Sequence, residues 1–236
     1  MSSQAVTFIK SLELPKSVTS LSQNPSAQVV AGSIASFTAA LSGQQLEDVQ
    51  NSTLLAQLAA TKKYPNKDQI EDWYNFYTKV LGEIGWILQS FSFNTYTSDQ
   101  ASFKLSDVTL ELLSALVGDD KELLTLVKST LDSLAKSDEG ITLFDTHSTH
   151  VNAGHYQILP CTLTNNQVSV AFIGAYFTAS KVSKDYFFAS YKSEDMHLQQ
   201  TAQVFSLDEE MYAKVRQDVI DKFDGHAPDF IHNLKV

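Results

Sequence analysis

The chain of 236 residues has a single cysteine, Cys161, five prolines and nine glycines, and it carries 17 basic against 27 acidic side chains. A lone cysteine cannot close an internal disulfide, so the fold does not depend on oxidation. Scarce proline and glycine beside 43% hydrophobic residues mark an ordered globular chain, not a linker or a low-complexity segment. The formal charge of −10 disfavours nucleic acid and strongly anionic membranes as partners. No window holds the roughly 20 uncharged apolar residues of a membrane-spanning helix. Residues 1–10 lack the basic and apolar regions of a secretory signal, so the protein is expected to be soluble as synthesised, cytoplasmic or released without a classical signal peptide. There is no glycine-rich phosphate loop, no Cys-x-x-Cys pair and no basic patch. No cofactor and no catalytic residue is therefore expected, and an enzyme is the least supported class.

What is present is a change of texture at Gly140: helical spacing before it, alternating stretches after it. Asn24-Pro25 reads as a cap opening a helix through Val29, Val30, Ile34, Phe37 and Leu41. Further helices are expected from about Gln45 to Lys62, from Ile70 to Leu88, from Ser106 to Val117 with Gly118 closing it, and from Asp120 to Lys136. Strands are expected near Ile141–Asp145, His155–Thr164, Gln167–Ser180, Asp185–Ser193 and Met196–Ser206, with Asn165-Asn166 turning one hairpin. A capping box, Ser206-Leu207-Asp208-Glu209, opens a last helix to about Phe223. Helices gathered first and strands later make an α+β protein. The length suits one domain over 1–236, with residues 1–139 mainly helical layers, 140–206 an antiparallel sheet and 207–236 a C-terminal helix and tail. From Val168 to Ala179 the alternation puts Val168, Val170, Phe172 and Tyr176 on one face and Ile173 and Phe177 on the other. A strand apolar on both faces needs helices on both, hence three layers, helices–sheet–helices.

Several side chains invite a chemical reading. His147, His150 and His155 lie within nine residues, but on a polar stretch without the helical frame of a known zinc motif, so no metal is assigned to them. Cys161 follows Pro160 in an apolar strand, where a buried thiol acts as a small hydrophobe; the sharper alternatives are a nucleophile and an acylation site. Trp73, Tyr74, Phe76, Tyr77 and Trp86 make an aromatic-rich helix, either a core helix or one lying at a membrane interface.

The order Leu123–Leu134, Ile141-Thr142-Leu143-Phe144, Asn152–Ile158, Val168–Lys181, Tyr186–Tyr191 and Leu198–Leu207 resembles the Cyt-type cytolytic δ-endotoxins and the related mushroom toxin volvatoxin. The likeness covers about the last 115 residues in order and texture, with few identities. It implies a three-layer fold and a non-enzymatic protein that binds neutral or zwitterionic bilayers, self-associates and perforates them once covering helices move off the sheet. Under that resemblance the insertion candidates are Val168, Val170, Phe172, Ile173, Tyr176, Phe177, Tyr186, Phe187 and Phe188. The displaceable cover is the helix bearing Leu123, Leu124, Val127, Leu131 and Leu134. A non-lytic assembly or interaction module of the same fold stays open beside it, as does a lipid or acyl carrier using Cys161.

Overall fold

The computed structural model describes residues 2–15, 26–89, 91–223, 230–234 and 236. Helix α1 (Ser2–Ser11) is followed by strands β1 (Ala27–Val30) and β2 (Ser33–Phe37), then α2 (Gly43–Lys63) and α3 (Ile70–Glu83). Short strands β3 (Trp86–Ile87), β4 (Asn94–Thr95) and β5 (Ser102–Lys104) lead to α4 (Leu105–Val117), α5 (Lys121–Leu134) and α6 (Asp138–Ser148). The long strands β7 (Ala153–Thr164), β8 (Gln167–Ala179) and β10 (Met196–Leu207) come next, with the short strands β6 (Thr149–His150) before β7 and β9 (Ser190–Lys192) before β10. Helices α7 (Glu209–Ala213) and α8 (Arg216–Lys222) and strand β11 (Ile231–Leu234) end the chain.

The main sheet runs β11-β1-β2-β7-β8-β10-β3, with β4 added to β10 and β6 to β7; β5 and β9 pair separately. Strands β7, β8 and β10 are antiparallel neighbours. Asn165 and Asn166, at φ 53° and 63°, form the β7–β8 hairpin turn that the sequence calls for. The expected alternation in β8 holds and builds two cores. Val168, Val170 and Phe172 join Leu159, Cys161 and Phe205 against α1, α2, α3, α7 and α8. Ala171, Ile173, Ala175 and Phe177 join Tyr156, Ile158 and Leu198 against α4, α5 and α6. The three-layer arrangement follows directly.

The structure corrects several expectations. Residues expected as a helix through Val29–Leu41 form the β1–β2 hairpin; all nine strand positions are buried, so no alternation betrays them. Ala31, at φ 49°, turns that hairpin, and the Asn24-Pro25 cap lies outside the described residues. The sheet is mixed and not wholly antiparallel, because β2 runs parallel to β7. Ile141–Asp145 is helical, not extended. Ser137 caps α6 by accepting from the Gly140 amide, and Ile141, Phe144 and Ser148 recur at helical spacing on its buried side. Gly140 therefore sits inside a helix, where a Cβ would lie 2.9 Å from Ser137 Oγ and 3.2 Å from Leu234. The sheet thus gathers β1, β2 and β11 from outside 140–206, and α6 lies within that span. Helix α3 stops at Glu83 because Gly85, at φ 111°, turns the chain into β3 at a point where a Cβ would lie 3.2 Å from the Asp208 carbonyl oxygen and the Tyr212 amide nitrogen. Of the expected strand Asp185–Ser193 only β9 forms; Asp185, at φ 56°, opens a turn over 184–188. Asp208, not Ser206, caps the last helix, which is broken into α7 and α8.

Candidate functional site: a sheet covered on both faces

Strands β7, β8 and β10 are 12, 13 and 12 residues long, each at or above the roughly 9–11 that a tilted strand needs to cross a bilayer. Both faces of β8 are buried: Val168, Val170 and Phe172 are fully covered on one, Ile173 and Phe177 on the other. Tyr176, on the first face at the strand's end, is half-buried.

The two covers are held differently. On the first face the Tyr74 hydroxyl of α3 lies 3.1 Å from the carbonyls of Tyr156 in β7 and Ala175 in β8, and accepts from Gln157 Nε2 at 3.1 Å. Gln157 in turn accepts from Ser33 Oγ. Gln57 of α2 accepts from the Gly32 amide and donates to the Val30 carbonyl, closing α2 onto the β1–β2 turn. Gln50 donates to Gln28 of β1. Arg216 of α8 donates from Nε and Nη2 to both oxygens of Asp48, each at 2.7 Å, and Asp48 is 1% exposed. Such a bidentate pair fixes α8 to α2 with direction as well as charge. Phe91 stacks on Phe172 at 4.5 Å between ring centres, and Phe93 meets Tyr176 edge-on.

On the second face α4 packs on β8 and β10, and α5 on β2 and β7. Leu123, Val127, Leu131 and Leu134 point inward, whereas Leu124 is only half-buried. The helix lying over β8 is therefore α4, and the one chosen from sequence as its cover lies over neighbouring strands. Polar ties from this hairpin to the sheet run from Thr130 to Ser36 Oγ at 2.9 Å and from Thr109 to the Tyr156 hydroxyl at 3.1 Å. Beside them stands an apolar contact: Leu105, Val108, Leu113, Val127 and Leu131 against Ile158, Ile173 and Phe177. Tyr186, Phe187 and Phe188 are not in a strand. They lie in the turn, where Tyr186 stacks on Phe144 and Phe177 and donates to Ser148 Oγ, while the Phe187 carbonyl accepts from the Ser106 amide.

Cys161 is fully buried on the first face; burial pushes its thiol far above the usual range, and Sγ donates to the Leu159 carbonyl. None of the described cavities has it on its wall. Trp73, Tyr74, Tyr77 and Trp86 are core residues. His147, His150 and His155 come together around one cavity, at the end of α6, in β6 and in β7. Among the described residues no three histidine, cysteine or acidic side chains converge as a metal ion would need. No helix among them is long and apolar enough to cross a membrane.

Sequence reasoning found the two faces of β8 and α4 as a helix, but missed the Tyr74 latch, the Arg216–Asp48 pair and the placing of α4 over β8. The signal available for the pair was Asp48 itself, a charged residue between the buried positions Leu46 and Val49.

The class these elements define is a three-layer α+β protein with a long-stranded mixed sheet between helical layers. Neither the family models nor the curated proteins give a match. Among solved structures, the chain is similar to a delta-endotoxin, with 11% identity and a TM-score of 0.45 over 83% of this chain and 88% of that one. It is similar to the Evf virulence factor, with 9% identity and a TM-score of 0.37 over 99% of this chain and 91% of the other. It is also similar to the activated Cyt2Ba monomer from Bacillus thuringiensis subsp. israelensis, with 11% identity and a TM-score of 0.39 over 75% and 96%. Likeness this distant says nothing of activity or ligand.

Proposed function

We propose that the protein acts without enzymatic chemistry on neutral or zwitterionic lipid bilayers, by releasing the α4–α5 hairpin and giving the uncovered face of its long strands to lipid. The observation that supports this is the asymmetry of the covers. The hairpin rests on β8 and β10 through α4 and on β2 and β7 through α5, mainly by apolar side chains, and hydrocarbon is as good a partner for Ala171, Ile173, Ala175 and Phe177 as leucine is. The first cover, anchored to the sheet through Tyr74 and Gln57 and held together by Asp48–Arg216, stays on the opposite face. A spanning sheet cannot leave backbone edges in lipid, so insertion requires several copies to close their edges on one another. Strand β10 offers such an edge: among the described residues its outer side pairs at 199–200 with β4 and at 206–207 with β3, with one more backbone bond from the Tyr96 amide to the Leu198 carbonyl.

The test is release of an encapsulated dye from phosphatidylcholine vesicles by the purified chain at micromolar concentration. The expected result is concentration-dependent leakage with a lag that shortens as protein is added. Absence of leakage from neutral vesicles at every concentration overturns the proposal.

A further inference from the structure

At one end of the sheet, between α2–α3 and the strands, lies a cavity of about 500 Å³. It falls within the roughly 300–1,000 Å³ of small-molecule sites. Its interior wall is mostly apolar, built from Ile70, Trp73, Ala153, Gly154 and Phe177. A second cavity of about 320 Å³ shares Thr61, Trp73, His147 and His155 with it. Glycine at 154 keeps the strand clear of its neighbours here, since a Cβ would come within 2.7 Å of the Phe177 ring and the Ser148 carbonyl.

The polar groups facing this space are distinctive. Trp73 has already placed its indole N–H on Thr61 Oγ1 at 3.0 Å, so it offers the cavity only an apolar face. His155 touches the Trp73 ring at 4.6 Å and His147 the Phe230 ring at 5.3 Å, yet among the described residues neither imidazole makes a hydrogen bond. Burial lowers the pKa of both, so both are uncharged at neutral pH. Asp68 on the wall is exposed, and among the described side chains no basic group other than the histidines is on it. Among the described side chains an anion would find no cation here, and a cation would have to leave water for an apolar wall. A neutral imidazole can donate or accept one hydrogen bond to an uncharged group.

We propose that this cavity binds an uncharged, mostly apolar small molecule carrying a single hydrogen-bonding group such as a hydroxyl, its body against Trp73 and Phe177 and its polar group on His155 or His147. The site stands whether or not the protein disrupts membranes, because nothing in it depends on movement of α4–α5.

The probe is N-phenyl-1-naphthylamine, uncharged and fluorescent in apolar surroundings, titrated into the full chain at neutral pH. Saturable binding of one probe per chain is expected, with displacement by 1-decanol and at least about tenfold weaker displacement by decanoate. Thr178→Trp and Thr146→Trp place a bulky ring at two exposed points of the rim. Each is expected to weaken probe binding by about tenfold or more with the melting temperature unchanged. Absence of saturable binding, equal displacement by decanoate, or unaltered binding by both folded rim variants would overturn the assignment.

Discussion

His155 shows how one side chain ties acid stability to packing. Its ring lies between Trp73 and Tyr74 of α3, with His150 of β6 and His147 of α6 around the same cavity. Burial first, and His150 second, hold its pKa down at about 3, against the usual 6.5. The unfolded chain therefore binds a proton that the folded chain refuses. That part of the stability is complete above pH 6.5 and is lost progressively as pH falls from there towards 3. His147, lowered by burial, acts with the same sign. Asp145, raised by burial to about 6 from 3.8, acts with the opposite sign in the window between those values, because the folded chain takes up its proton first. Replacing His155 with Phe keeps a ring of similar shape that cannot be protonated. Urea midpoints measured from neutral pH down to about pH 5 are expected to fall less in His155→Phe than in the natural chain. An equal fall in both would assign the acid sensitivity elsewhere.

At the scale of elements, the ion pair between α2 and α8 is the most directional contact of the first cover. Asp48 is buried and Arg216 is its only cationic partner in the described residues. Arg216→Met leaves a buried carboxylate without compensation and is expected to cost about 3–5 kcal/mol. Asp48→Leu combined with Arg216→Met, which removes both charges, is expected to recover most of that loss in urea unfolding. A double variant as unstable as the single one would show that packing around α8, not charge, sets its position. The elements legible in the sequence were those with one strong period. The β7–β8 hairpin declares itself through alternation and Asn165-Asn166, and α2, α4 and α5 through apolar spacing with Gly118 and Asp120 as punctuation. Strands β1 and β2 were hidden because burial on both sides erases the period. Helix α6 was hidden because Ile141, Thr142 and Phe144 favour strands locally, while its Ser137 cap and its packing on β11 decide the outcome. The cover read from sequence, α5, lies on β2 and β7, and α4 on β8 and β10 was left out of it, because which helix lies over which strand is fixed by tertiary order.

At the scale of the molecule, a mixed sheet with two cores carries one layer pinned by buried polar contacts and one held mainly by apolar surface. Under the proposed function the pinned layer stays on the sheet and the other is the one released. A net charge of −10 adds no attraction to anionic lipid, so any bilayer contact must draw on that apolar face. The most direct test of this division of labour is to fasten the α4–α5 hairpin. Ser36 of β2 and Thr130 of α5 hold their hydroxyl oxygens 2.9 Å apart, which places two short side chains within reach of a disulfide. Ser36→Cys with Thr130→Cys, in a Cys161→Ala chain, should be assayed for vesicle leakage before and after reduction, with the bond verified by mass. Leakage absent in the oxidised protein and restored by dithiothreitol is the predicted result, and leakage at the unmodified rate with the disulfide intact would contradict the account.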